Sequence, residues 1–404
     1  MRILTASAPT MKLVNRAAVL SAIRESGPLP RTEIADRTGL TKATVTNLVS
    51  ELIHEGLVVE EAPARSTGGR RPIPVTLNPR SRFVIGVDVG IHEIRVVAVD
   101  MNAEPVVRQV TPVGRFDDNQ MFLSVLTDAI DEVLNVMLSQ SSRARWLGIG
   151  IGMHGIVDSR VGTAIFAPNF RLQNIPIGDE LRARFGVDVI VNNDVRAMAA
   201  RERWNGNPSV GGDFILVNVG VGIGAAIVLH GETLTGVSGS AGEIGHTVVD
   251  PNGRLCACGK RGCLETVASG PSIAHRAVEA IRGGIPSLVE DVVGGDLDRV
   301  TGYTVYQAAR AGDGLARSLF QAAGIHLGNT VGQLVNAIDP EVVVIGGGVS
   351  GAGAFLMEPL ESQVRQVAVK TAGEHLKIMV SNISDATVLG AAAMVLHPVF
   401  APTL

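Results

Sequence analysis

The chain has 404 residues, 46% hydrophobic, 18% charged and 3% aromatic, with 47 glycines and a formal net charge of −4. That composition excludes the disordered and fibrous classes and predicts an aliphatic, turn-rich globular protein of roughly two to four domains. No charged, apolar and cleavable leader opens the sequence, so the expectation is a cytoplasmic protein.

Charge is uneven along the chain. Residues 1–82 hold 12 Lys/Arg against 7 Asp/Glu, a balance of +5, which leaves −9 on residues 83–404. A basic segment ahead of an acidic body predicts a polyanionic partner for that segment alone. Leu13, Ala17, Leu20 and Ile23 recur at helical spacing and predict a first, supporting helix. Ile34, Ala35 and Gly39 fit a short helix followed by a turn, with Ala35 and Gly39 expected as a close-contact pair. Thr41 is placed to cap the next helix, along which Val45, Leu48, Val49, Leu52 and Ile53 make one apolar face. Its first turn and opposite face carry Lys42, Ala43, Thr44, Thr46 and Asn47, small or hydrogen-bonding side chains suited to a major groove. Strands at 57–60 and 73–77 flank a loop whose Arg65, Arg70 and Arg71 suit phosphates or a minor groove. Residues 11–78 are therefore expected to form a winged helix-turn-helix domain for double-stranded DNA, followed by a linker at 79–82. The expected contacts are Thr41, Lys42, Thr44, Thr46, Asn47, Arg65, Arg70 and Arg71. A small three-helix protein-interaction domain is the plainer alternative, which the wing and the positive charge disfavour.

Beyond the linker, strands at 83–90 and 94–100 surround a glycine turn and place Asp88 at the end of the first. The longest uncharged stretch, 214–231, would tempt a membrane assignment on length alone. Its Gly220, Gly222, Gly224 and Gly231, with Asn218, instead read as two buried strands around a turn, so no membrane partner is expected. A third glycine cluster, Gly346-Gly347-Gly348, follows the strand 342–345. Each glycine turn alone is common in α/β domains.

All three cysteines, Cys256, Cys258 and Cys263, fall within eight residues, ten residues after His246. Three thiolates and a neutral imidazole suit a tetrahedral Zn2+ ion, and Gly259 and Gly262 allow a tight loop around it. Three small buried residues, or a disulfide with one thiol left over, are the alternatives. An odd count confined to one short loop speaks against them.

In this order the hairpins resemble the actin-like ATPase (RNase H-like) fold of two α/β lobes. More specifically, Asn192-Asn193-Asp194, Glu243-Ile244-Gly245-His246 and the cysteine loop running into Leu264-Glu265 resemble the ROK family of repressors, open reading frames and sugar kinases. The resemblance implies a first lobe at 83–195 plus 385–404 and a second at 196–384 carrying a structural zinc loop. It also implies that the DNA-binding module is the one carried by the family's transcriptional members. Asp194 matches the base that takes a proton from a sugar hydroxyl in the family's kinases, here expected to be vestigial. Asn169, Asn193, Asp194, Glu243, His246 and Glu265 match sugar-binding positions, with a ligand expected between the lobes. His246 would serve metal with one ring nitrogen and sugar with the other.

There are departures from the family pattern. His154-Gly155 stands where the family has Pro-Gly, and Arg171-Leu172-Gln173-Asn174 where it often has a tryptophan. The family kinases carry Asp-x-Gly-Gly-Thr-Lys in the first hairpin, whereas this chain has Asp88-Val89-Gly90-Ile91-His92-Glu93. Glu93 would put a carboxylate where phosphate oxygens sit, and Val221 replaces a threonine of the second hairpin. The expectation is a lost ATP site beside a kept sugar site: a sugar-responsive regulator, most simply a repressor of carbohydrate-metabolism genes. It would bind palindromic operator DNA as a homodimer or homotetramer. A sugar kinase with an added DNA-binding head is the enzyme alternative, and a zinc-stabilised scaffold the third.

Overall fold

The computed structural model describes residues 7–62, 72–140, 145–204 and 212–401. The chain divides into two compact units, residues 1–204 with 385–404, and residues 205–384.

The first unit opens with α1 (Ala8–Ser26), β1 (Leu29–Pro30), α2 (Arg31–Thr38), α3 (Lys42–His54), β2 (Val58–Glu60) and β3 (Pro74–Leu77). The strands form a small antiparallel sheet in the order β1-β3-β2. A five-stranded sheet in the order β11-β7-β4-β5-β6 follows, built from β4 (Phe83–Val89), β5 (Glu93–Val99), β6 (Pro105–Pro112), β7 (Trp146–Met153) and β11 (Asp188–Asn193). Between these strands lie α4 (Asn119–Gln140), the three-stranded sheet of β8 (Ile156–Asp158), β9 (Thr163–Ala167) and β10 (Leu172–Ile175), and α5 (Ile177–Phe185). α6 (Asp194–Trp204) and the C-terminal helix Ala386–Phe400 complete the unit.

Two expectations change here. The boundary between the units falls after Trp204, not after Val195, because all of α6 packs on the C-terminal helix. Gly390 makes that close approach possible: a Cβ there would lie 1.8 Å from the Ala197 carbonyl oxygen. Residues 79–82 also do not behave as a free tether. Pro79–Ser81 form a 3-10 turn, the Pro79 carbonyl accepts from Met101 N at 3.0 Å, and Arg82 donates to the Glu55 carbonyl at 3.3 Å. Val19, Leu20 and Leu52 of the N-terminal module share one hydrophobic core with Val84, Val97, Trp204, Leu389 and Phe400. A module with few apolar residues of its own gains core by sharing the lobe's.

The second unit contains β12 (Phe214–Val219), β13 (Ile223–Leu229), β14 (Glu232–Thr233), α7 (Glu265–Ala268), α8 (Gly270–Arg282), α9 (Leu288–Val292), α10 (Gly302–Arg310), α11 (Gly314–Ile338), β15 (Val342–Gly346), α12 (Ala354–Val367), α13 (Lys370–His375) and β16 (Lys377–Val380). Its sheet runs β14-β13-β12-β15-β16, with β12, β15 and β16 parallel. The uncharged stretch 214–231 is thus the antiparallel pair β12 and β13. Among the described residues no helix is long and apolar enough to cross a membrane.

Candidate functional site

In the N-terminal module, α2 ends at Gly39, whose φ of +69° is left-handed, and Thr41 then caps α3 by accepting from Thr44 N at 3.2 Å. Gly39 is not the close-contact partner of Ala35 that the sequence led us to expect: a Cβ there would meet nothing within 4 Å. The turn needs its backbone freedom instead. Val45, Leu48, Val49 and Leu52 are buried, while Lys42, Ala43, Thr46 and Asn47 are exposed and Thr44 is half-buried. Thr46 Oγ1 donates back to the Lys42 carbonyl at 2.7 Å, which leaves Lys42 and Asn47 as the extended polar side chains of that face. Lys12, Arg16 and Arg31 are paired with Glu51, Glu55 and Glu60 away from it. The wing candidates Arg65, Arg70 and Arg71 lie outside the described residues.

The first unit brings Asn193 and Asp194 to the C-terminal edge of its sheet, where β11 passes into α6. Both ends of the Asn193 amide are occupied: Oδ1 accepts from Val195 N at 2.9 Å and Nδ2 donates to the Gly155 carbonyl at 3.0 Å. Asn193 therefore shapes this edge as a helix cap. Asn169 is exposed in the turn between β9 and β10. Burial holds the Asp194 carboxyl above the usual carboxylate range, an effect His154 opposes. Asp88 is pushed up to about 7, first by burial and then by the charge of Asp194, with Arg95 pulling the other way.

Two residues that sequence reasoning did not assign belong to this edge. Arg95 holds Glu93 at 2.6 Å and approaches Asp88 at 3.7 Å, so the Glu93 carboxylate of the first hairpin is neutralised in place. Their alternation on β5 was the available signal, since residues two apart share a strand face. His154 directly follows β7, its ring edge-on to Phe170 at 4.8 Å.

In the second unit, Glu243 leads into the 3-10 turn Ile244–His246, and Glu265 opens α7. Glu265 Oε2 accepts from Ile223 N at 3.2 Å, so this carboxylate is tied to the glycine turn of β12 and β13. His246 and the three cysteines converge, their donor atoms all lying within 4.8 Å of one another. Cys256 Sγ is 3.6 Å from His246 Nδ1, and Cys258 Sγ is 3.6 Å from Cys263 Sγ. A tetrahedron of sulfurs about 2.3 Å from a zinc ion has edges of about 3.8 Å, so the donor set fits. Nδ1 faces the sulfurs while Nε2 lies 3.9 Å from Glu243 Oε2. Burial and the neighbouring sulfurs push the Cys263 thiol up to about 12, a penalty a divalent cation would remove. The loop closes on Gly262, where φ is +66° and a Cβ would lie 1.4 Å from the Asp250 carbonyl oxygen.

Residues 84–397 match the ROK family, and residues 13–62 match the IclR helix-turn-helix domain. A xylose repressor of Caldicellulosiruptor bescii is 33% identical over 389 residues, 96% of each chain. A ROK family transcriptional regulator, solved as a homologue of the E. coli MLC protein, has a TM-score of 0.85 at 28% identity, covering 96% of this chain and 98% of its own. A ROK family glucokinase from Streptomyces griseus, solved with glucose and AMPPNP, has a TM-score of 0.66 at 28% identity and covers 77% of this chain and 98% of its own. The kinase accounts for the body alone and the regulator for nearly the whole length, and on these matches the chain belongs to the ROK family, with an IclR-type helix-turn-helix domain at its N-terminal end.

Proposed function

We propose that this chain is a cytoplasmic, sugar-responsive transcriptional repressor of carbohydrate-metabolism genes. It binds palindromic operator DNA as a homodimer or homotetramer and is not a kinase. The observation that carries the reading is α3: an exposed polar face on a module whose hydrophobic core is continuous with a ROK lobe. Near-full-length likeness to a xylose repressor supports it. The proposed sugar-binding residues are Asn169, Asn193 and Asp194 with Glu243, His246 and Glu265. In Asn193 the contact falls to whatever capacity its two backbone bonds leave. The absence of phosphotransfer is supported by the Glu93–Arg95 pair, which occupies the turn where kinases place a threonine and a lysine. Exposed Val221 likewise offers no hydroxyl in the second turn.

His246, Cys256, Cys258 and Cys263 would hold a structural Zn2+, which supplies a fixed loop and no chemistry of its own. Their coordination would hold the turn that carries Glu243 and the start of α7 that carries Glu265.

The test is a gel shift of the full-length protein on a palindromic operator, titrated with monosaccharides, beside an assay of sugar-dependent ATP hydrolysis. Sugar-dependent release of the operator is the expected result. Sugar-dependent ATP hydrolysis abolished by Asp194→Asn would overturn the reading in favour of a kinase.

A further inference from the structure

His154 stands at the edge of the first unit's sheet, and its two ring nitrogens have different surroundings. Nδ1 lies 3.2 Å from the Val89 carbonyl oxygen. A carbonyl only accepts, so Nδ1 carries the hydrogen and Nε2 presents a lone pair. Nε2 is buried and has no hydrogen-bond partner among the described residues. The ring cannot turn away to find one. Phe170 packs against it edge-on at 4.8 Å, and Phe170 is itself held by Phe116 at 5.0 Å and Phe122 at 5.7 Å.

The charged neighbours of the ring are acidic. Asp194 is close enough to raise the affinity of His154 for a proton, and burial opposes this and lowers it. Asp88 lies across β4, in register with Gly152 of β7, and feels the same Asp194 charge. A neutral imidazole beside an ionised carboxylate gives two acceptors side by side with no donor between them. Leaving a buried acceptor unmatched is costly, so the arrangement suits a ligand that brings O–H groups. The family pattern has proline here, which offers no side-chain acceptor, so the feature belongs to this chain.

We propose that His154 Nε2 accepts a hydrogen bond from one hydroxyl of the sugar effector, beside the hydroxyl taken by Asp194, and so determines which sugar the protein answers. The inference rests on the reading above that Asp194 marks the sugar site. A site that needs a donor at this point rejects a sugar lacking that hydroxyl, because the loss leaves Nε2 buried and unmatched.

The experiment measures binding of D-xylose, D-glucose and their singly deoxygenated analogues to the full-length protein by calorimetry, for the parent, His154→Phe and Asp194→Ala. The phenylalanine keeps a ring against Phe170 and removes both nitrogens. In the parent, one deoxy analogue should bind about ten- to a hundredfold more weakly than its sugar. In His154→Phe that discrimination should vanish, with the sugar falling to the level of its analogue. Unchanged discrimination in His154→Phe, while Asp194→Ala loses the sugar, removes the role of His154 alone. Parent protein that binds neither sugar, or Asp194→Ala that binds as the parent does, removes the site reading and this inference with it. Operator binding reports that the variants fold. Should His154→Phe fail it, His154→Leu and His154→Pro are read against the same criterion.

Discussion

Asp194 and Trp204 are the first and last residues of a single helix, the 11-residue α6. At one end stands the carboxyl group proposed to meet sugar. At the other, the Trp204 indole packs against Phe400 at 5.3 Å and lies beneath the Arg24 guanidinium of α1 at 4.1 Å. A packed helix moves as a rigid body, so a shift at Asp194 reaches the DNA-binding module without any loop in between.

Arg24 is the contact to break. Replacing it with methionine keeps apolar bulk over Trp204 and removes the cation. Operator affinity without sugar should stay within a few-fold of the parent. The change in operator affinity on adding sugar, typically about 5- to 150-fold for a coupled pair of sites, should shrink toward none. Gel shifts with and without a bound monosaccharide read both. A full sugar response in Arg24→Met would place the coupling elsewhere.

Much of this arrangement was legible from residue order. The buried face of α3 follows from apolar residues at helical spacing, and the metal loop from four soft donors in one short segment. The reach of α6 was not legible. Arg196, Arg201 and Glu202 make its sequence look like a solvated helix, yet all three are buried and partnered, and the pattern gives no sign of the C-terminal helix that covers them. Gly39 was read as a contact residue because helix-packing glycines and turn glycines look alike without φ. His154 was visible as a departure from the family pattern. Its meaning depends on Val89, a carbonyl 65 residues away that no local pattern brings near.

The metal loop predicts a specific loss. Cys258→Ser removes the exposed thiol of the four donors, so the variant should fold but lose most of about one zinc per chain. The second unit should melt at lower temperature, while the operator affinity of sugar-free protein changes little. Elemental analysis showing no metal in parent protein purified without chelators would refute the assignment.

Stability should respond to acid through His397. Arg203 donates to its Nε2 at 3.0 Å, and burial followed by the charges of Arg203 and Arg24 pushes the imidazole down to about 4. The unfolded chain takes up a proton near the ordinary value of 6.5, which the folded chain resists until about 4. Stability is therefore lost as pH falls from about 6.5 to about 4. His397→Gln, which keeps an acceptor for Arg203, should flatten that acid limb. Asp88 works in the opposite direction: its folded value of about 7 lies above the ordinary 3.8, so its contribution is lost as pH rises through that interval. Asp88→Asn should then raise Tm by an amount that grows from about pH 4 to about pH 7 and levels off above it. Thermal melts across pH separate the two.

The DNA-binding face makes the sharpest distinction between kinds of contact. Asn47 is exposed on α3, facing away from the buried Val45, Leu48, Val49 and Leu52, where a carboxamide can pair with the edge of an adenine. Losing such a contact removes discrimination at one base pair, worth about 1–3 kcal/mol, and leaves non-specific affinity nearly intact. Arg70 and Arg71, read from the sequence as wing residues, would instead neutralise phosphates. Their joint replacement by alanine should weaken binding to every sequence alike and lower the slope of log affinity against log salt by about two. Two half-sites read by paired modules should lie about one helical turn apart or a multiple of it, so shifting them by half a turn should abolish tight binding by the parent. The deciding measurement is a salt titration on operator and on scrambled DNA for parent, Asn47→Ala and Arg70→Ala with Arg71→Ala. If Asn47→Ala loses affinity equally on both DNAs, α3 does not read bases and the orientation of the module is wrong.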